Sequence, residues 1–168
     1  FAMMAKKIPP ALLAGCPVVL KPAGLTPLSA IAMCQLAIEA GVPAGWFNLV
    51  IGQSGPIGDV LCSHPAVRVI SFTGSTEVGQ MLIAKTAPHI KRLALELGGN
   101  APFLVFDDAQ LDSAAEALVA NKFRSSGQTC VCTNRVYVHE AVLSTFIEKL
   151  APRVAKLKVG NGMEPDTD

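Results

Sequence analysis

Three times between Val18 and Ala84 a short apolar run gives way to a turn of glycine, serine or proline and then to apolar residues at helical spacing. Val18–Leu20 leads to Lys21 and, past Thr26-Pro27, to a helical stretch that ends at Gly41. Thr26 reads there as the cap and Pro27 as the first-turn residue. Trp46–Ile51 leads through Gly52-Gln-Ser-Gly55 to a helix over Ile57–Cys62, and Val67–Phe72 leads through Thr73-Gly-Ser-Thr76 to Val78, Met81, Leu82 and Ala84 on neighbouring turns. Strands separated by a helix cannot form a hairpin, so the pattern predicts an α/β fold with a Rossmann-like parallel sheet, right-handed crossovers and flanking helices. Ligands of such sheets sit at the carboxyl ends of the strands, which places Lys21, Gly52 and Ser75 at one expected edge.

The remaining segments extend the pattern. Phe1–Gly15 has Met4, Ile8, Ala11 and Leu12 near helical spacing, with Pro9 and Pro10 acting against the helix. Arg92–Leu97 and Pro102–Phe106 read as strands, Leu111–Phe123 as a helix with Asp112 near its positive end, Arg135–His139 as a strand and Ala141–Leu157 as an amphipathic helix. Between the last two helices lies Lys122-Phe-Arg-Ser-Ser-Gly-Gln-Thr-Cys-Val-Cys132, a polar, glycine-hinged turn of the kind that displays reactive groups. Cys130 in this turn is the candidate nucleophile. Glu96 ends an apolar run and is followed by Gly98-Gly99, which permits close approach of other groups and makes Glu96 the candidate acid–base residue. A strand-end carboxylate paired with Lys91 or Arg92 is the plainer alternative.

Composition narrows the classes. A chain of 168 residues is long enough for a sizeable core, and 51% hydrophobic with 16% charged residues is apolar for a solitary domain, which implies surfaces meant to be covered. A net charge of +1 gives no support to nucleic-acid or anionic-membrane binding. The five cysteines lack C-x-x-C spacing, so neither a paired disulfide framework nor a zinc site is expected, and a reducing, cytoplasmic setting is. Cys16, Cys34 and Cys62 sit in apolar patterns and read as buried, inert residues. His64, His89 and His139 are scattered and read as packing or solvated groups. Lys6, Lys7, Pro9 and Pro10 interrupt the apolar start, so no membrane span or signal peptide is read there.

Leu95-Glu-Leu-Gly-Gly-Asn-Ala-Pro102, Lys122-Phe-Arg124 and Gly127-Gln-Thr-Cys-Val-Cys132, together with Phe72-Thr-Gly-Ser-Thr-Glu-Val-Gly79 and Lys21-Pro-Ala-Gly-Leu-Thr-Pro27, resemble the aldehyde dehydrogenase superfamily, most closely its succinate-semialdehyde dehydrogenase branch. The resemblance runs from Phe1 to Gly162. Members of the family are much longer than this chain, so it is expected to be an internal piece, with residues 1–97 part of a dinucleotide-binding domain and 98–168 the start of a catalytic domain. No linker composition marks that boundary independently.

The resemblance implies a mechanism and a set of residues. Cys130 attacks an aldehyde, a hydride passes to NADP or NAD, and Glu96 activates the water that hydrolyses the resulting thioester. Lys21, Gly24, Gly52, Gly74, Ser75, Val78 and Leu97 fall in the cofactor region. Gly24 stands where members that prefer NAD often have glutamate, which leaves room for the 2′-phosphate of NADP. Arg124 matches the position that holds a substrate carboxylate, and the alternative is an arginine at a helix end favoured by the dipole. Lys6 stands where the branch usually has a second arginine, keeping the charge but losing the planar fork. Cys132 is implied as a redox partner of Cys130, with simple packing as the alternative. The parent is expected to be a homodimer or homotetramer acting on a small aldehyde. Glutarate semialdehyde or an uncharged aliphatic aldehyde is the alternative substrate, and an inert cofactor-binding fragment or a lens-type structural relative the alternative class.

Overall fold

The computed structural model describes residues 1–168. The chain forms two compact units, Phe1–Leu97 and Gly98–Asp168.

In the first unit the order is α1 (Ala2–Leu13), β1 (Val18–Leu20), α2 (Leu28–Glu39), β2 (Phe47–Leu49), α3 (Ser54–Ser63), β3 (Val69–Thr73), α4 (Thr76–Thr86) and β4 (Arg92–Glu96). β1 pairs with β2 in parallel, Val18 opposite Phe47, and β3 pairs with β4 in parallel from Val69 opposite Arg92 to Thr73 opposite Glu96. The expected parallel pairing and flanking helices are present. They occur as separate two-stranded ladders rather than as one continuous sheet. The supposed common edge is correspondingly divided. Lys21 and Gly52 follow the β1–β2 pair, whereas Ser75 follows β3.

Local chemistry explains where elements begin. α1 continues through Pro9 and Pro10, which lie inside it, although each lacks the N–H of an interior bond. Thr26 does not cap α2. Pro27 is the cap, and its carbonyl accepts the N–H groups of Ala30 and Ile31. α3 starts three residues earlier than Ile57, because Pro56 in the first turn needs no N–H partner. Ser75 caps α4, its hydroxyl accepting the N–H of Val78 at 3.3 Å.

β3 and β4 alternate exposed and half-buried residues. Ile70, Phe72, Leu93 and Leu95 lie on the covered face, while Ser71, Thr73, Ala94 and Glu96 lie on the open one. That period of two is what a sheet packed on one side imposes. Gly79 is buried because Leu97 packs against it. A side chain there would meet Leu97 Cδ2 at 2.7 Å.

The second unit holds β5 (Ala101–Val105), α5 (Leu111–Lys122), β6 (Thr133–Val138) and α6 (Leu143–Ala155), with β5 and β6 parallel and a register shift between Ala101 and Pro102. Val105, Ala115, Leu118 and Phe146 form its core. Burying a phenylalanine such as Phe146 is worth about 1.5–3 kcal/mol, which makes it the anchor of α6. At the surface Asp112 of α5 accepts from Lys149 at 2.6 Å and Arg153 at 3.0 Å of α6. These two hydrogen bonds hold its carboxyl below the usual range. The last helix is shorter than expected, since a 3-10 turn occupies Glu140–Val142. His139 starts that turn by accepting the N–H of Ala141 through Nδ1, and His64 does the same for Ala66.

Candidate active site

Cys130 is exposed on the turn between α5 and β6, and Cys132 two residues on is buried. The turn is built from consecutive left-handed residues: Ser125, Ser126 and Gly127 all have positive φ, of 51°, 57° and 71°. Only glycine adopts that conformation without cost, so Gly127 was readable as a hinge and the two serines were not. Cys132 turns inward. Its Sγ lies 2.7 Å from the Thr129 hydroxyl, and its N–H donates to the Thr129 carbonyl at 3.1 Å. The Thr129 hydroxyl holds the Cys132 thiol below its ordinary range, opposed by burial. A contact three residues back along the chain was not foreseen, although Thr-x-x-Cys in a turn is the spacing that allows it.

Downstream of the cysteines the start of β6 is stapled to its surroundings. Asn121 Oδ1 accepts from both the N–H and the hydroxyl of buried Thr133, each at 2.8 Å, and Lys122 donates to Asn134 at 2.8 Å. Asn134 donates to the Gly99 carbonyl at 3.4 Å, and Arg135 donates to the Asn100 carbonyl through Nε at 3.1 Å and Nη2 at 2.9 Å. Arg124 follows Phe123, the residue that closes α5, and its side chain is exposed. Its backbone carbonyl is used, accepting weakly from Cys132 Sγ at 3.8 Å.

In the first unit Glu96 ends β4 on the open face opposite Thr73. Lys91 is not its partner. That lysine donates to the carbonyls of His64 at 2.7 Å and Val67 at 2.5 Å. Lys7 of α1 reaches this strand pair instead, its ammonium donating at 2.6 Å to the Oγ1 of Thr73, the residue opposite Glu96. Burial pushes the Lys7 amine down, and the Glu96 charge acts in the opposite direction. Lys7 and Thr73 were missed because a contact across 66 residues leaves no local signal. Lys6, the neighbour singled out instead, is exposed on the same helix.

Lys21 is half-buried just after β1 and donates to the Pro22 carbonyl at 2.9 Å. Gly24 lies exposed in the turn that follows, and a side chain there would meet nothing within 4 Å. Gly52 follows β2, where a Cβ would approach Ile57 at 3.2 Å. Gly74 is exposed, a side chain there would run into the Phe72 ring, and its N–H donates to the Glu96 carbonyl at 3.0 Å. Val78 is half-buried in the first turn of α4, and Leu97 lies just beyond β4. Cys62 is buried as expected, which pushes its thiol up, whereas Cys34 is half-buried and Cys16 is exposed. Cys16 follows Gly15, whose left-handed φ of 75° ends α1 and turns the chain outward before β1. No group of three metal-ligating side chains is gathered, and no helix is long and apolar enough to cross a membrane.

A sequence model of the aldehyde dehydrogenase family matches residues 1–168, and the chain belongs to that family. It is 57% identical over 163 residues to the NADP-dependent succinate-semialdehyde dehydrogenase of Escherichia coli, covering 97% of this chain and 34% of that protein. It is 55% identical to the glutarate-semialdehyde dehydrogenase of Pseudomonas aeruginosa over the same shares of the two proteins. Among solved structures, the succinate-semialdehyde dehydrogenase of Burkholderia pseudomallei superposes with a TM-score of 0.96 at 58% identity, covering 99% of this chain and 34% of that one. The chain thus spans about a third of the length of the curated relatives it matches.

Proposed function

We propose that the protein carrying this chain oxidises a small aldehyde bearing a distal carboxylate, succinate semialdehyde first, to the acid with NADP or NAD. The observation that carries the reading is the division of labour within one turn: Cys130 is exposed and Cys132, two residues away, is buried and occupied with Thr129. Cys130 is the nucleophile. Its sulfur adds to the aldehyde carbon as a thiohemiacetal, and the loss of hydride leaves an acyl thioester on the same sulfur. Glu96 takes a proton from the water that cleaves the thioester, with Lys7 as its electrostatic partner. Cys132 is assigned as the redox partner of Cys130, and simple packing, with its thiol kept on Thr129, is the alternative.

Residues 1–97 form the dinucleotide-binding part and 98–168 the start of the catalytic part, a reading supported by the break between compact units at Leu97. Two groups of residues suit parts of a dinucleotide: the Lys21 ammonium with the open space at Gly24 and with Gly52 after the β1–β2 pair, and the amino-terminal turn of α4 behind Gly74, Ser75 and Val78 with Leu97 just beyond β4. The nicotinamide cofactor supplies the hydride acceptor when bound. Gly24→Glu tests its placement. The added side chain has room, so folding is retained, while kcat/KM for NADP falls about tenfold or more relative to NAD through charge repulsion at the 2′-phosphate. An unchanged cofactor ratio removes Gly24 from the site.

Arg124 and Lys6 are assigned to the substrate carboxylate. In the full-length protein, Arg124→Ala should lower kcat/KM for succinate semialdehyde about tenfold to a hundredfold, as expected for one charge-assisted hydrogen-bonding partner. An uncharged aldehyde of similar length should be almost unaffected. Equal, small effects on both aldehydes would remove the carboxylate specificity and leave the dehydrogenase class standing. Glutarate semialdehyde is the second substrate to assay, since a relative at 55% identity carries that name. The assembly we expect is a homodimer or homotetramer in the cytoplasm.

A further inference from the structure

Taking Cys130 as the nucleophile, we propose that Gly99 is a positioning residue for it: the Cys130 carbonyl seats against Gly99, and the missing side chain fixes where the nucleophile stands. A Cβ built on Gly99 would lie 2.5 Å from the Cys130 carbonyl oxygen and 3.6 Å from its carbon. Both are backbone atoms, so no flexible side-chain end can swing aside. Gly99 is not among the glycines with positive φ, so its backbone does not itself demand glycine. Close approach of Cys130 does.

Neither side of this contact is free to yield. Gly99 and Asn100 are tethered through their carbonyls to Asn134 and Arg135, and β5 enters its ladder at Ala101 opposite Thr133. On the other side, Cys132 is bonded to Thr129 through both N–H and thiol, and Thr133 is bonded twice to Asn121. Cys130 is therefore held from the residues that follow it, and its carbonyl rests on Gly99. An alanine at 99 must displace the Cys130 peptide, which rotates the bond that aims the sulfur. The effect falls on orientation and leaves substrate and cofactor contacts in place.

The test uses the full-length protein, the Gly99→Ala variant and two readouts, steady-state kinetics and the rate of Cys130 alkylation by iodoacetamide from neutral to alkaline pH. We expect kcat to fall about a hundredfold, the scale of a small misplacement of a reacting group, with KM changed less than about threefold and the alkylation profile shifted. Unchanged kcat together with an unchanged alkylation profile overturns the proposal. Should Gly99→Ala fail to fold, Asn134→Ala removes the tether on Gly99 from an exposed position and decides the matter. A shifted Cys130 alkylation profile supports the seat, and an unchanged one overturns it. If the wild-type protein oxidises no aldehyde yet the variants still shift Cys130 alkylation, the functional reading fails and the positioning role stands.

Discussion

Cys130→Ala in the full-length protein is expected to lower aldehyde oxidation by about ten-thousandfold or more, because a covalent route loses its first bond when the nucleophile is removed. The prediction depends on the two cysteines being unequal. Cys130 is exposed on its turn, while Cys132 is about 1% exposed and engaged by Thr129. Iodoacetamide should therefore label Cys130 in the folded wild-type protein well before Cys132, and labelling should track loss of turnover. Thermal unfolding of Cys130→Ala should match wild type, since an exposed thiol supports no core contact. Retention of turnover within a few-fold by Cys130→Ala, with labelling moved to another cysteine, would overturn the assignment of the nucleophile.

Glu96→Gln is expected to separate the two halves of the proposed reaction. The amide keeps the shape of the carboxylate at the end of β4 but cannot take a proton, so hydrolysis of the thioester should slow by about a hundredfold to ten-thousandfold, the usual span for a general base. Addition of the aldehyde to sulfur and its oxidation to the thioester should survive. The signature is a rapid burst of reduced cofactor, one equivalent per site, followed by a slow steady state, and an acyl mass on the Cys130 peptide after acid quenching. The same substitution removes the negative charge that favours the protonated form of Lys7, so burial is left to push that amine down unopposed. A steady-state rate equal to wild type, without a burst, excludes Glu96 as the base.

The parts of this arrangement that follow a local rule were legible in the sequence. Leu93, Leu95 and Leu97 alternate with Arg92, Ala94 and Glu96, and that apolar run marked a strand with Glu96 near its end. The crossover helices and the turn at Cys130 followed from apolar spacing and from Gly127. What was not legible depends on partners far away in sequence or on unfavourable conformations that the fold enforces. Lys7 reaches Thr73 across 66 residues, and two serines adopt a left-handed backbone for which their type gives no cue. Cys16 and Cys62 sit in similarly apolar stretches, yet one follows a helix-ending glycine and is exposed while the other faces inward from α3. Thr26 had the right chemistry for a cap one residue too early, because Pro27 already holds the cap position.

The ladders β1–β2, β3–β4 and β5–β6 each join strands that flank a helix, α2, α4 or α5. During synthesis on the ribosome, a first strand therefore emerges with no neighbour to pair with and must wait until its helix and the second strand have followed. Closing such a loop is entropically slow compared with a hairpin, and the waiting strand offers unpaired N–H and carbonyl groups along both edges. Val18–Leu20 is only three residues long and is separated from Phe47 by the whole of α2, so it has few bonds to offset that delay. The time at which Phe47–Leu49 leaves the exit tunnel thus limits when the segment bearing Lys21 can take its place.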